Sequence, residues 1–123
     1  MQSKKMLWTG RIISALVILF LVADSVGKVM KFAPYLEGTV RVGYPASLVV
    51  PLGIVLLICT VVYAIPITSV LGAILLTGYL GGATATHVRV GQPFWFPVMM
   101  GVLLWAALFL REERLRALIP LRK

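Results

Sequence analysis

Residues 42–86 read VGYPASLVVPLGIVLLICTVVYAIPITSVLGAILLTGYLGGATAT, 45 consecutive positions without one charged side chain. As a single helix rising 1.5 Å per residue, this run would be about 68 Å long, more than twice the roughly 30 Å hydrocarbon core of a bilayer. It must therefore fold back on itself. Pro66 is the break, because proline cannot continue a helix and the residue before it is pushed toward extended backbone. Thr68 and Ser69 are the N-cap candidates for the helix that follows. The stretch thus predicts two membrane-length helices, about residues 46–65 and 69–88, joined by a tight turn.

Working outward toward the N-terminus, residues 31–41 carry Pro34, Glu37 and Gly38 and read as a polar loop. Before them, residues 8–30 form a first apolar helix. The segment between Ile12 and Ala23 is free of charge, and Asp24 and Lys28 fall in the last two turns. The Lys4-Lys5 start resembles a signal peptide. However, the only candidate cleavage site, near Ala23, places Leu21 at the −3 position, so an uncleaved helix is expected. Toward the C-terminus, Gly91 and Pro93 mark a turn and residues 94–110 form a fourth helix. A basic tail, 111–123, closes the chain and reads as a solvated interfacial segment. The expected fold is an all-α bundle of four transmembrane helices in one domain. Both termini and the Pro66 turn then share a side with eight basic residues (Lys4, Lys5, Arg11, Arg111, Arg114, Arg116, Arg122, Lys123), against four (Lys28, Lys31, Arg41, Arg89) on the other. That asymmetry puts both termini in the cytoplasm.

Composition agrees and excludes several function classes. The 123 residues are 60% hydrophobic and 13% charged, where soluble domains average about 45–50% and about 25%. The net charge of +8 belongs to membrane topology and not to nucleic acid, since no basic block interleaves with aromatic residues. A lone cysteine, Cys59, excludes an internal disulfide and a paired-thiol redox centre. No nucleophile elbow, phosphate loop, zinc motif or dinucleotide fingerprint is present. One histidine without a spaced partner gives no metal site.

In lipid, polar side chains are costly and therefore informative. Most of them collect at the extracytoplasmic ends of the four helices. Asp24 and Lys28 are one turn apart on the same helix face. Two readings stay open: a helix-end ion pair with Lys28 reaching outward, or Asp24 facing the bundle centre to meet His87 or a polar ligand group. His87 can cap its helix or titrate. Tyr44, Arg89, Gln92 and Trp95 lead into the second and fourth helices at the same end. Gly78 and Gly82 make a small-xxx-small pair that allows close approach of another helix. A weak internal repeat relates Arg41…Gly43-Tyr44-Pro45 to Arg89…Gly91-Gln92-Pro93, with Pro51 and Pro97 following.

Three segments resemble the DoxX-like membrane family. His87-Val88-Arg89-Val90-Gly91-Gln92-Pro93 resembles its His-x-x-Val-Gly-Asp-Pro signature, with Gln92 in place of the aspartate. Ser25-Val26-Gly27-Lys28 resembles the Ser-Gly-x-x-Lys element closing the family's first helix, with the glycine displaced. Gly43-Tyr44-Pro45 resembles the element opening its second. The resemblance implies a four-helix membrane bundle and carries over Lys28, Tyr44, Pro45, His87, Gly91 and Pro93. Named family members serve as a subunit tied to thiosulfate–quinone oxidoreduction, a partner in bacterial oxidative-stress complexes, and a vertebrate receptor-assembly chaperone.

The expectation is a multi-pass protein of the bacterial inner membrane. It binds a quinone-like or lipidic molecule near the extracytoplasmic face through Asp24, Lys28, Tyr44, His87, Arg89, Gln92 and Trp95. No metal, nucleotide or nucleic acid is expected. Its partners are membrane lipids, a second copy or another membrane protein. Rival readings are an assembly factor that captures partner helices and, third, a dimeric small-molecule transporter.

Overall fold

A computed structural model describes residues 3–119 and 121 of the chain. Among them the fold is all-α, with no strand. Helix α1 spans Lys4–Val29 and begins four residues before the expected Trp8. The reason is a side-chain cap: Ser3 Oγ accepts a hydrogen bond from the Met6 amide at 3.1 Å, satisfying one of the donors that every helix start leaves open.

The segment expected to be a loop, residues 31–41, is largely helical: α2 is Ala33–Arg41. Lys31 adopts a left-handed backbone (φ 57°) that turns the chain out of α1. Pro34 then sits in the first turn of α2, where its missing N–H costs nothing. Tyr35, Thr39 and Val42 fall on one face at helical spacing, while Glu37 and Arg41 are exposed on the other. The turn-forming composition masked this short amphipathic pattern.

A single 3₁₀ turn, Ala46–Leu48, leads into α3, Val49–Ala64. The break falls where the sequence places it. Ile65 is extended (ψ 120°), Pro66–Thr68 form a 3₁₀ turn, and α4 runs Ser69–Arg89. Thr68 holds the N-cap position of α4, as expected, but neither it nor Ser69 makes a side-chain capping bond. Their hydroxyls donate backward to the carbonyls of Val62 (2.8 Å) and Tyr63 (2.7 Å), closing the open C-terminal end of α3. Gly91 (φ 73°) turns the chain into α5, Trp95–Arg111, followed by the short α6, Glu113–Arg116.

The four long helices pack in a ring. α1 and α4 each lie against α3 and α5, and are diagonal to one another. The core is built from Val17 and Leu21 of α1, Leu56 and Tyr63 of α3, Leu76 and Leu80 of α4, and Met100, Leu104 and Leu108 of α5. The outer faces are equally apolar: Leu16, Leu19, Ile58, Ile74 and Val102 are all exposed. A surface of that kind is stable against lipid and not against water. α1, residues 46–64 and residues 66–89 are each long and apolar enough to cross a membrane, and α5 is a shorter apolar helix of 17 residues.

Glycines set how close the helices come. A Cβ on Gly72 would strike the Tyr63 backbone, so only glycine permits the α3–α4 hairpin to close. A Cβ on Gly53 would lie 2.8 Å from Lys28 Cβ and 2.9 Å from the Ser25 carbonyl, which fixes the α1–α3 crossing beside Lys28.

The basic end is also less solvated than the sequence suggests. Arg111, assigned to the interfacial tail, turns inward instead. Its Nε donates to Ser14 Oγ (2.9 Å), its Nη2 to Ser69 Oγ (3.4 Å), and its guanidinium stands 5.4 Å over the Tyr63 ring. One side chain thereby ties α5 to α1, α4 and α3. Arg122 and Lys123, counted for orientation, lie outside the described residues.

Candidate functional site

At the end of the ring opposite Arg111 the helices enclose a cavity of about 410 Å³, within the roughly 300–1,000 Å³ range of small-molecule sites. Its wall is mostly apolar, with Leu52, Leu80, Phe96 and Pro97 prominent, and α2 lies across it through Tyr35 and Thr39. The Tyr35 ring packs against Gly27, which seats α2 on α1. Thr39 is buried, and its hydroxyl is satisfied by the Tyr35 carbonyl at 2.9 Å.

Asp24, Lys28, Tyr44 and His87 all line this cavity. The close crossing at Gly53 and the buried Ser25 beside it fix the rotation of α1, so that Lys28 turns inward. Lys28 Nζ is 3.1 Å from Asp24 Oδ1, with the two side chains only 16% and 18% exposed. It also donates to Tyr79 Oη at 2.9 Å. That hydrogen bond reaches from α1 to α4 across the diagonal of the ring. The ion pair of the first sequence reading is therefore present, but Lys28 turns inward and not outward. Asp24 lines the cavity as in the second, but meets Lys28 and not His87.

Tyr79 was missed by sequence reasoning, which took the run around it as packing surface. The signal was there: Tyr79 precedes Thr86 by seven residues, two helical turns, so both face the same side. Thr86 Oγ1 donates to the Gly82 carbonyl (2.8 Å) and pairs with Tyr44 Oη (3.0 Å), so the tyrosine is the donor between them. His87 Nδ1 lies 2.6 Å from the Ala83 carbonyl, one turn back. Tyr35, Thr39 and Phe96 also line the wall; the assignment of 31–41 to a loop hid the first two.

Arg89, Gln92 and Trp95 do not line the cavity. α4 ends at Arg89 and Gly91 turns the chain away, so these residues pass outside it. Arg89 is exposed, its Nη2 lying over Gly43, and Trp95 is 64% exposed with its ring edge-on to Phe96. Gly78 and Gly82 line the cavity, and no other part of the described chain lies within 4 Å of a Cβ built on either.

The arrangement offers one polar patch in an apolar chamber. The carboxylate and ammonium cancel, so the patch is suited to a polar head without net charge. Among the described residues no three His, Cys, Asp or Glu side chains gather as metal ligands would.

No curated protein and no solved structure matches the chain. A family model does: that of the DoxX-like family, over residues 12–109. The match runs from the third turn of α1 almost to the end of α5 and so takes in most of the helix ring and every residue of the cavity. Together with apolar helices that fit a small membrane protein, it shows that the chain belongs to the DoxX-like family.

Proposed function

We propose that this protein is a four-span protein of the bacterial inner membrane, with both termini cytoplasmic, that holds the head of a quinone-like or lipidic molecule in the cavity between α1, α2 and α4. At 1.5 Å per residue, α5 is about 25 Å long, enough to cross most of the hydrocarbon as a fourth span. The distribution of basic residues supports the orientation. The cavity then lies in the extracytoplasmic half.

The observation that carries the reading is the Asp24–Lys28–Tyr79 cluster inside a mostly apolar chamber. Ligand sites hold a molecule's body with apolar walls and orient it with a few polar groups. The neutral balance of the cluster favours an uncharged head over a phosphate. The tail of such a molecule already resides in the bilayer, so the protein has only the head to capture. A redox- or stress-linked role follows if that head is a quinone.

The test is to purify the protein in mild detergent, extract and identify its bound small molecules, and titrate it with alkyl-tailed benzoquinones while following thermal stability. Co-purification or a saturable shift that Tyr79→Ala abolishes supports the reading. No bound molecule and no shift with any oxidation state overturns it. The competing reading, an accessory subunit gripping a partner helix through Gly78 and Gly82, has less support because both glycines line the cavity.

A further inference from the structure

The hydrogen-bonding groups around the cavity can be followed atom by atom. Lys28 Nζ donates to Tyr79 Oη, so that oxygen accepts and the Tyr79 O–H remains to donate. The Tyr44 O–H is committed to Thr86, whose hydroxyl is committed to the Gly82 carbonyl. Two groups are left with unfilled acceptor positions. Asp24 Oδ1 is buried and receives no aligned hydrogen bond, its contact with Lys28 being electrostatic. An ionised carboxylate offers about four lone-pair positions, and nothing else from the protein fills those of Asp24. His87 Nδ1 faces the Ala83 carbonyl. A carbonyl only accepts, so Nδ1 carries the proton, and in the neutral ring Nε2 presents its lone pair.

We infer that the cavity selects a head that donates hydrogen bonds through hydroxyl groups, a hydroquinone or related phenol, over one that only accepts, such as the oxidised quinone. The inference rests on the proposed ligand-binding reading and narrows its ligand class. A hydroquinone can donate to Asp24 and His87 while accepting from Tyr79. A quinone satisfies Tyr79 but brings no donor to Asp24 Oδ1, which is buried, or to His87. Leaving a buried polar group unpaired costs roughly tenfold or more in affinity per group.

The experiment compares three alkyl-tailed ligands of one shape: a benzoquinone, its hydroquinone, and the dimethyl ether of that hydroquinone, which keeps the oxygens and removes both donors. Kd is measured anaerobically, with reductant, on the purified protein in lipid nanodiscs. The hydroquinone is expected to bind at least about tenfold tighter than the other two. His87→Phe and Asp24→Asn should each erode that preference from both sides, weakening hydroquinone binding and strengthening that of the quinone and the ether, because the acceptor those two leave unpaired is gone. Where Asp24→Asn fails to fold, the wild-type comparison and His87→Phe carry the test. Equal affinity for all three ligands, or a preference for the quinone, overturns the inference and leaves the ligand-binding reading standing. Failure of all three to bind overturns both.

Discussion

Replacing Lys28 by methionine keeps most of the unbranched side chain and removes its charge, which isolates what the ammonium does. Two interactions are lost: the contact with Asp24 at 3.1 Å and the hydrogen bond to Tyr79 at 2.9 Å. At an effective dielectric constant of about 20, the Coulomb attraction at that separation is roughly 5 kcal/mol, most of it offset by the desolvation already incurred. What remains after Lys28→Met is a carboxylate 18% exposed, with no counterion, in the wall of an apolar cavity. Breaking a buried pair from one side costs about 3–5 kcal/mol; because a little solvent reaches both side chains, about 3 kcal/mol is expected. Asp24→Asn should cost less, about 1–2 kcal/mol, since Lys28 keeps Tyr79 as a hydrogen-bond acceptor. The double variant removes both charges and should cost well below the sum, giving a coupling of about 2 kcal/mol. Equilibrium unfolding of the four proteins in mixed micelles measures this directly. Additivity within about 0.5 kcal/mol would refute the reasoning, because it would mean that Lys28 reaches headgroups independently of Asp24.

Gly53→Ala puts a methyl group 2.8 Å from Lys28 Cβ; α1 must shift, and the variant should lose about 1–3 kcal/mol of stability together with the order of the Lys28–Tyr79 contact, read from unfolding and from ligand titration. Gly78→Leu, by contrast, has open space around its Cβ and grows into the cavity; it should leave unfolding unchanged while reducing ligand affinity tenfold or more, and loss of partner capture with affinity intact would favour the accessory-subunit role. Tyr63→Phe removes a buried hydrogen bond to the Leu104 carbonyl at 2.7 Å and should cost about 1–2 kcal/mol in micelle unfolding without altering ligand binding, since Tyr63 lies at the other end of the ring.

The helices were legible because each is recorded in a long local signal. The apolar run of α3 and α4 exceeds twice a membrane's thickness, and Pro66 is the one place it can fold. α2 was not legible: nine residues with a proline, a glycine and two charges look like a loop, and only packing of Tyr35 and Thr39 against the ring reveals the helical face. Arg111 was read as a solvated tail residue for a similar reason, since its partners, Ser14 and Ser69, are 97 and 42 positions away.

For the candidate site, sequence alone determined at which end of the molecule the polar side chains gather. Scarce polar side chains in an apolar chain must sit where they can be satisfied, and Asp24, Lys28, Tyr44 and His87 all fall at one end of their helices. Only the tertiary structure decided which of the candidates share a cavity. The Lys28–Tyr79 bond spans 51 positions and joins helices that lie diagonal to one another in the ring. Its existence depends on the rotation of α1, fixed by the close crossing at Gly53, and on α4 presenting Tyr79 inward. The turn at Gly91 likewise carries Gln92 and Trp95 away from the cavity they were expected to join. Hydrophobic length is a property of neighbours along the chain, whereas the direction of a side chain within a bundle is set by the packing of every other helix against it.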